Sequence, residues 1–120
     1  MNDESTTVSQ LKKVMEDFIA ERNWQTYHRP KNLAMSIAIE AGELMEVLQW
    51  SDHEEADALL ADEKTRAKLA EEMADVLSFL LSLSSVTGID LTTCLKAKME
   101  RNRRKYPAEK VKGRYRRPEE

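Results

Sequence analysis

Leu33-Ala34-Met35-Ser36-Ile37-Ala38-Ile39-Glu40-Ala41-Gly42-Glu43 and Glu72-Met73-Ala74-Asp75-Val76-Leu77-Ser78-Phe79-Leu80-Leu81 are the stretches whose reading decides the fold. Each sets two acids three residues apart within an apolar, helix-like run. On a helix, such residues share a face, with Cβ atoms about 5–6 Å apart. Two helices packed face to face would bring four carboxylates together. A buried, unpaired carboxylate costs roughly several kcal/mol, so a cluster of four requires a cation. Ligands that are all oxygen suit Mg²⁺ or Mn²⁺.

At about 100° per residue, Glu40, Glu43 and Val47 fall on one face, and Lys68, Glu72, Asp75 and Phe79 on another. Each acidic pair therefore lies on a stripe that continues into apolar residues. Gly42 costs about 1 kcal/mol relative to alanine inside a helix and implies a close helix approach. Taken alone, either pair is also an ordinary solvated pattern. Glu46 and Glu71 are further acids nearby, read as solvated or salt-bridged.

The rest of the chain extends the helical reading. A helix is expected from Val8 to Arg22, opened by a capping box at Thr7-Val8-Ser9-Gln10. Trp24 to Arg29 reads as a connection, and Pro30 suits the first turn of a helix running to Trp50. A second capping box, Ser51-Asp52-His53-Glu54, opens a short helix to Leu60. A long helix from Glu63 to Thr87 stops at Gly88. A last one, capped by Asp90, ends near Tyr106 because Pro107 cannot continue it. The expected fold is an all-α antiparallel bundle of four main helices plus a short one, completed by oligomerisation. Residues 1–107 form the expected domain and 108–120 a basic, polar tail.

The 120 residues include 3 glycines and 3 prolines, in keeping with an all-α domain. The lone Cys94 excludes an internal disulfide and fits a reducing interior. No basic, apolar leader opens the chain, and Val76 to Val86 is too short and serine-rich to span a bilayer. A cytoplasmic protein without a membrane partner is expected. The net charge of −3 hides an asymmetry. Residues 1–95 hold 8 Lys and Arg against 18 Asp and Glu, a balance of −10, and residues 96–120 hold 11 against 4, a balance of +7. An acidic body beside a basic segment suits a metal with a polyanion, and equally a nucleic-acid-binding tail.

Carboxylates in a helical bundle also suggest a di-iron site, which pairs its acids with Glu-x-x-His. The two histidines are His28 and His53, and Gln25 and Trp50 stand three residues before them. Redox iron is therefore not expected.

These motifs carry a family resemblance. Glu40-x-x-Glu43 followed by Glu72-x-x-Asp75 resembles the metal-binding signature of the all-α nucleoside triphosphate pyrophosphohydrolases, the MazG-like superfamily. Glu21-Arg22-Asn23-Trp24, His28-Arg29-Pro30-Lys31-Asn32-Leu33, Gln49-Trp50 and Lys98-Met99-Glu100-Arg101-Asn102-Arg103-Arg104-Lys105-Tyr106-Pro107 are similar to its dCTP pyrophosphatase branch. The resemblance covers about residues 10–107. It implies hydrolysis of a dNTP, dCTP or a modified dCTP above all, to dNMP and pyrophosphate in nucleotide-pool sanitation. It further implies Mg²⁺ on the catalytic acids Glu40, Glu43, Glu72 and Asp75, and a homo-oligomer, dimer or tetramer. By the same resemblance Trp24, Trp50 and Phe79 line the nucleobase pocket, with His28 close by.

The residues supply parts for that chemistry. Carboxylate-held Mg²⁺ binds phosphate oxygens and acidifies a bound water. A carboxylate not saturated by metal accepts the water's proton, and Glu43 is the candidate. Lys98, Asn102 and Lys105 share one helix face at i, i+4 and i+7, suited to successive phosphates or to plain solvation. Tyr106 is placed to touch sugar or phosphate, or to pack at the helix end. Two rivals stand: the same fold acting on dUTP or an oxidised purine triphosphate, and a non-enzymatic helical protein binding nucleic acid through residues 96–117.

Overall fold

The computed structural model describes residues 1–114. All its regular structure is helical: α1 (Val8–Glu21), a 3₁₀ turn (Gln25–Tyr27), α2 (Pro30–Glu46), α3 (His53–Leu59), α4 (Glu63–Thr87), α5 (Leu91–Lys105) and α6 (Ala108–Val111). The all-α expectation stands.

Local chemistry sets most boundaries. Thr7 accepts from the Gln10 N–H at 3.1 Å while the Gln10 side chain accepts from the Thr7 N–H at 2.7 Å, a complete capping box. Asp62 accepts from both the backbone N–H and the hydroxyl of Thr65 at 2.9 Å, opening α4. Gly88, at φ 72, ends it. That left-handed conformation is costly for a residue with a Cβ. Asp90 caps α5 through Thr93 in the same manner as Asp62.

Two local expectations need correction. The cap of α3 is Asp52, one residue later than the box at Ser51 implied, and it receives the Glu55 N–H at 2.8 Å. α2 ends at Glu46 instead of Trp50. The N–H groups of Val47 and Leu48 reach back three residues, to Leu44 and Met45, tightening the end into turns. One helical turn, α6, lies within the segment read as a basic, polar tail, whose residues 115–120 lie outside the described ones.

The chain divides into two compact units, Met1–Gly88 and Ile89–Glu120. In the first, α4 packs along α2 and against α1, and Ser85 Oγ donates to Glu16 Oε1 at 3.0 Å. The first unit thus holds three of the four expected bundle helices. α5, counted as the fourth, belongs to the second unit. The core of the first unit is small. Ile19, Leu33 and Leu81 are its buried apolar side chains among the described residues. Met35 and Ile39 on α2, and Met73, Leu77 and Leu80 on α4, stay exposed, Ile39 at 59%. Gly42 lies on the Met35–Ile39 stripe, and a Cβ there would meet nothing within 4 Å. Among the described residues, the close approach expected at this glycine is therefore absent.

Candidate metal centre

α2 and α4 bring the two acidic pairs together. Glu40, Glu43, Glu72 and Asp75 each offer a carboxylate oxygen, and these oxygens lie within 4.8 Å of one another. The helical period fixes each pair, and the packing of α4 along α2 joins them. Burial is uneven: Glu72 is 4% exposed and Glu40 is half-buried, while Glu43 and Asp75 face solvent.

The electrostatics are those of a site short of positive charge. Glu72 Oε1 takes an ion pair from Lys68 Nζ at 2.8 Å. Its other oxygen, Oε2, is buried with no hydrogen-bond partner, and so is Glu40 Oε2. Such orphaned oxygens are costly unless something else satisfies them. A hydrogen bond with the Glu43 carboxyl holds the Glu40 carboxyl above its usual range. Burial and the charges of Glu43, Asp75 and Glu72 push the same way. Glu72, beside Lys68, draws the lysine upward. Four oxygen donors, two with unsatisfied buried atoms, fit a hard divalent cation such as Mg²⁺ or Mn²⁺.

A cavity of about 570 Å³ lies beside the cluster, between the end of α2 and the first turns of α4, lined by Glu43, Glu46, Val47, Lys64, Thr65, Lys68 and Glu72. Glu46, read from sequence as a solvated acid, thus borders the site. Lys64 and Lys68 were not singled out as site residues. The available signal was the i, i+4 spacing of Lys68 to Glu72, a standard ion-pair step.

The aromatic residues divide. The His28 ring stacks on Phe79 at 6.4 Å, and its Nδ1 lies 3.0 Å from the Trp24 carbonyl oxygen. Trp24 instead meets Phe18 edge-to-face, with ring centroids 6.0 Å apart, while the Arg22 guanidinium sits 3.8 Å from the Phe18 ring centroid. Trp50, beyond the shortened α2, is 89% exposed. The structure thus joins His28 to Phe79 and brings Trp50 to neither. His28 also lines a second cavity of about 280 Å³, between α1, the 3₁₀ turn and α4.

In the second unit, Lys98, Asn102 and Lys105 follow one face of α5. The Asn102 amide reaches Met99 Sδ at 3.7 Å, and Lys105 Nζ lies 5.6 Å from the Tyr106 ring centroid.

A sequence model of the MazG-like family matches residues 35–117, a span that holds all four acids and crosses from the first unit into the second. The chain is 36% identical over 107 residues to dCTP pyrophosphatase 1 of Bos taurus, covering 89% of this chain and 63% of that protein. It is 37% identical over 102 residues to the human protein of the same name, covering 85% and 60%. It therefore spans somewhat under two thirds of the length of these curated relatives. A crystal structure of a pyrophosphatase from Archaeoglobus fulgidus superposes with a TM-score of 0.79 at 40% identity, covering 89% of this chain and 98% of that one. With its acidic pairs inside the matched span and its helices superposing on those of a pyrophosphatase, this chain belongs to the MazG-like family.

Proposed function

We propose that this protein is a nucleotide pyrophosphohydrolase that requires Mg²⁺, with Mn²⁺ as a substitute, and splits a dNTP into dNMP and pyrophosphate. The observation that carries the reading is the buried Glu72, whose Oε2 has no partner inside a four-carboxylate cluster. The names of the bovine, human and archaeal relatives support the reaction class. The bovine and human names also favour dCTP, or a modified dCTP, as substrate. dUTP and oxidised purine triphosphates are the alternatives. A cytoplasmic role in clearing the nucleotide pool fits this reaction.

Glu40, Glu43, Glu72 and Asp75 would hold the metal, which supplies charge neutralisation at the phosphates and a more acidic water. Glu43, exposed at the edge of the cluster, is suited to take the proton as water adds to phosphorus and the α–β bridging bond breaks. Lys98, Asn102 and Lys105 present two ammonium groups and an amide for the phosphate chain, with Tyr106 beside them. The His28–Phe79 stack offers an aromatic surface for the base, and Trp24 and Trp50 are the other candidates.

A homo-oligomer belongs to the same reading. Met35, Ile39, Met73, Leu77 and Leu80 form more exposed apolar surface than the three buried apolar side chains can balance. A second copy closing on this surface would also give Gly42 its close neighbour.

The deciding experiment measures pyrophosphate release from a panel of dNTPs and NTPs, with Mg²⁺ and with EDTA. Metal-dependent release of pyrophosphate and monophosphate is expected, fastest with dCTP or a modified form. Release of single phosphates would move the cleavage point, and no turnover on any nucleotide would refute the reading.

A further inference from the structure

Lys68 is the one cation paired with a member of the acidic cluster among the described ion pairs, and it is paired with the most buried member. Its Nζ sits 2.8 Å from Glu72 Oε1 while its stem stays 58% exposed, so the head group can leave without unpacking the helix. Lys68 also lines the 570 Å³ cavity, together with Lys64 and Thr65 one turn before it on α4. The same ammonium is therefore within reach of two places: the Glu72 carboxylate and an open space that Lys64 and Thr65 border on one side and the acids Glu43 and Glu46 on the other.

Two cations cannot share one carboxylate without mutual repulsion. A divalent ion bound at the unpartnered Glu72 Oε2 would stand on the same carboxylate as the Lys68 ammonium at Oε1, and the repulsion between the two cations would favour release of Lys68. Once displaced, the Lys68 ammonium has the cavity to enter. There it would stand beside Lys64 and Thr65 in a space of about 570 Å³, enough for a diphosphate, with Glu43 and Glu72 neutralised by the ion.

We infer that Lys68 is an exchangeable counter-ion of this site: it holds Glu72 in the metal-free protein, yields it to the divalent cation, and then turns into the cavity to meet the nucleotide's phosphates. The inference rests on the proposed metal-dependent reading of the cluster. It makes Lys68 a positioning residue for Glu72 and a phosphate ligand in the loaded state.

The test is Mn²⁺ binding to the full chain without nucleotide, by titration calorimetry and by loss of the free Mn²⁺ resonance. Wild type, Lys68→Met and Lys68→Arg are compared. Lys68→Met removes the competing ammonium, so its Mn²⁺ Kd should fall roughly fivefold, the scale of one half-exposed ion pair that the wild type must give up. Lys68→Arg, which keeps the charge, should stay near wild type. At saturating metal, Lys68→Met should show a raised KM for the nucleotide. Unchanged or weaker Mn²⁺ binding by a folded Lys68→Met, judged by helical circular dichroism, would overturn the exchange. An unchanged KM would overturn the phosphate contact. Absence of Mn²⁺ binding by the wild type would instead remove the metal reading itself.

Discussion

Replacing Glu72 by glutamine should stabilise the metal-free protein and remove most of the stabilisation that metal brings. In metal-free protein, Glu72 is a buried charge with one oxygen paired to an exposed lysine and the other unpaired. It also stands among three other carboxylates within 4.8 Å. A buried polar atom left unsatisfied costs about 1–3 kcal/mol, and the crowded negative charge adds to it. The ion pair with half-exposed Lys68 returns little, because solvent screens it. Glu72→Gln keeps the shape and a buried polar atom but removes the crowded charge, so the metal-free variant should be more stable than wild type by about 1 kcal/mol, the scale of a one-unit pKa perturbation. At about 4 °C per kcal/mol for a domain of this size, its Tm in EDTA should rise by roughly 4 °C. In Mg²⁺ the order should invert. A ligand at a hundred times its Kd stabilises by about 2.7 kcal/mol, a gain open to wild type and largely closed to the variant. The assay is thermal melting by circular dichroism in EDTA and in Mg²⁺, at one protein concentration because association also moves Tm. A variant less stable than wild type in EDTA would refute the charge argument. A wild-type Tm that Mg²⁺ leaves unmoved would refute the metal site.

Glu43→Gln and Asp75→Asn should each lower kcat for pyrophosphate release by at least about a hundredfold, given that even partners of metal ligands are worth 10–100-fold, with helical circular dichroism unchanged; full activity in either removes that residue from the site. Because the folded-state pKa of Glu40 is raised from 4.5 by Glu43, burial and the neighbouring acids, the folded protein binds the proton more tightly than the unfolded chain. In EDTA its contribution is therefore present below pH 4.5 and lost as pH rises through the raised value. Melting curves across that window should show this decline, and Glu40→Gln should flatten it. Ile39→Glu places a charge on the exposed α2–α4 face, where burying an isoleucine against a second copy would contribute about 1.5–3 kcal/mol per chain. Sedimentation should show a smaller species than wild type, and an unchanged mass would place any self-association elsewhere.

Much of this molecule was legible along the chain. Thr7 with Gln10, Asp62 with Thr65, Asp90 with Thr93 and Gly88 after Thr87 mark helix ends through contacts within a few residues. Such signals survive in any tertiary setting. The end of α2 was not legible, because Val47 to Trp50 carry no stop signal and the turn there is set by backbone bonds to Leu44 and Met45. The aromatic set was partly legible. Spacing placed Phe79 one turn past Asp75, but nothing in the sequence said that His28 would stack on it while Trp24 turned to Phe18.

The sequence by itself determined the helices, the pairing of Glu40 with Glu43 and of Glu72 with Asp75, and the all-oxygen donor set. Each follows from a 3.6-residue period or from side-chain chemistry, which need no knowledge of neighbours. Only the tertiary structure decided that Glu72 is buried while Asp75, one turn on, is exposed, that Lys68 stands against it, and that Met35, Ile39, Met73, Leu77 and Leu80 remain uncovered. The physical reason is that periodicity fixes a residue's angle about its own helix axis. Burial depends on how a second helix is rotated and placed against it, and that is settled by packing across the whole unit.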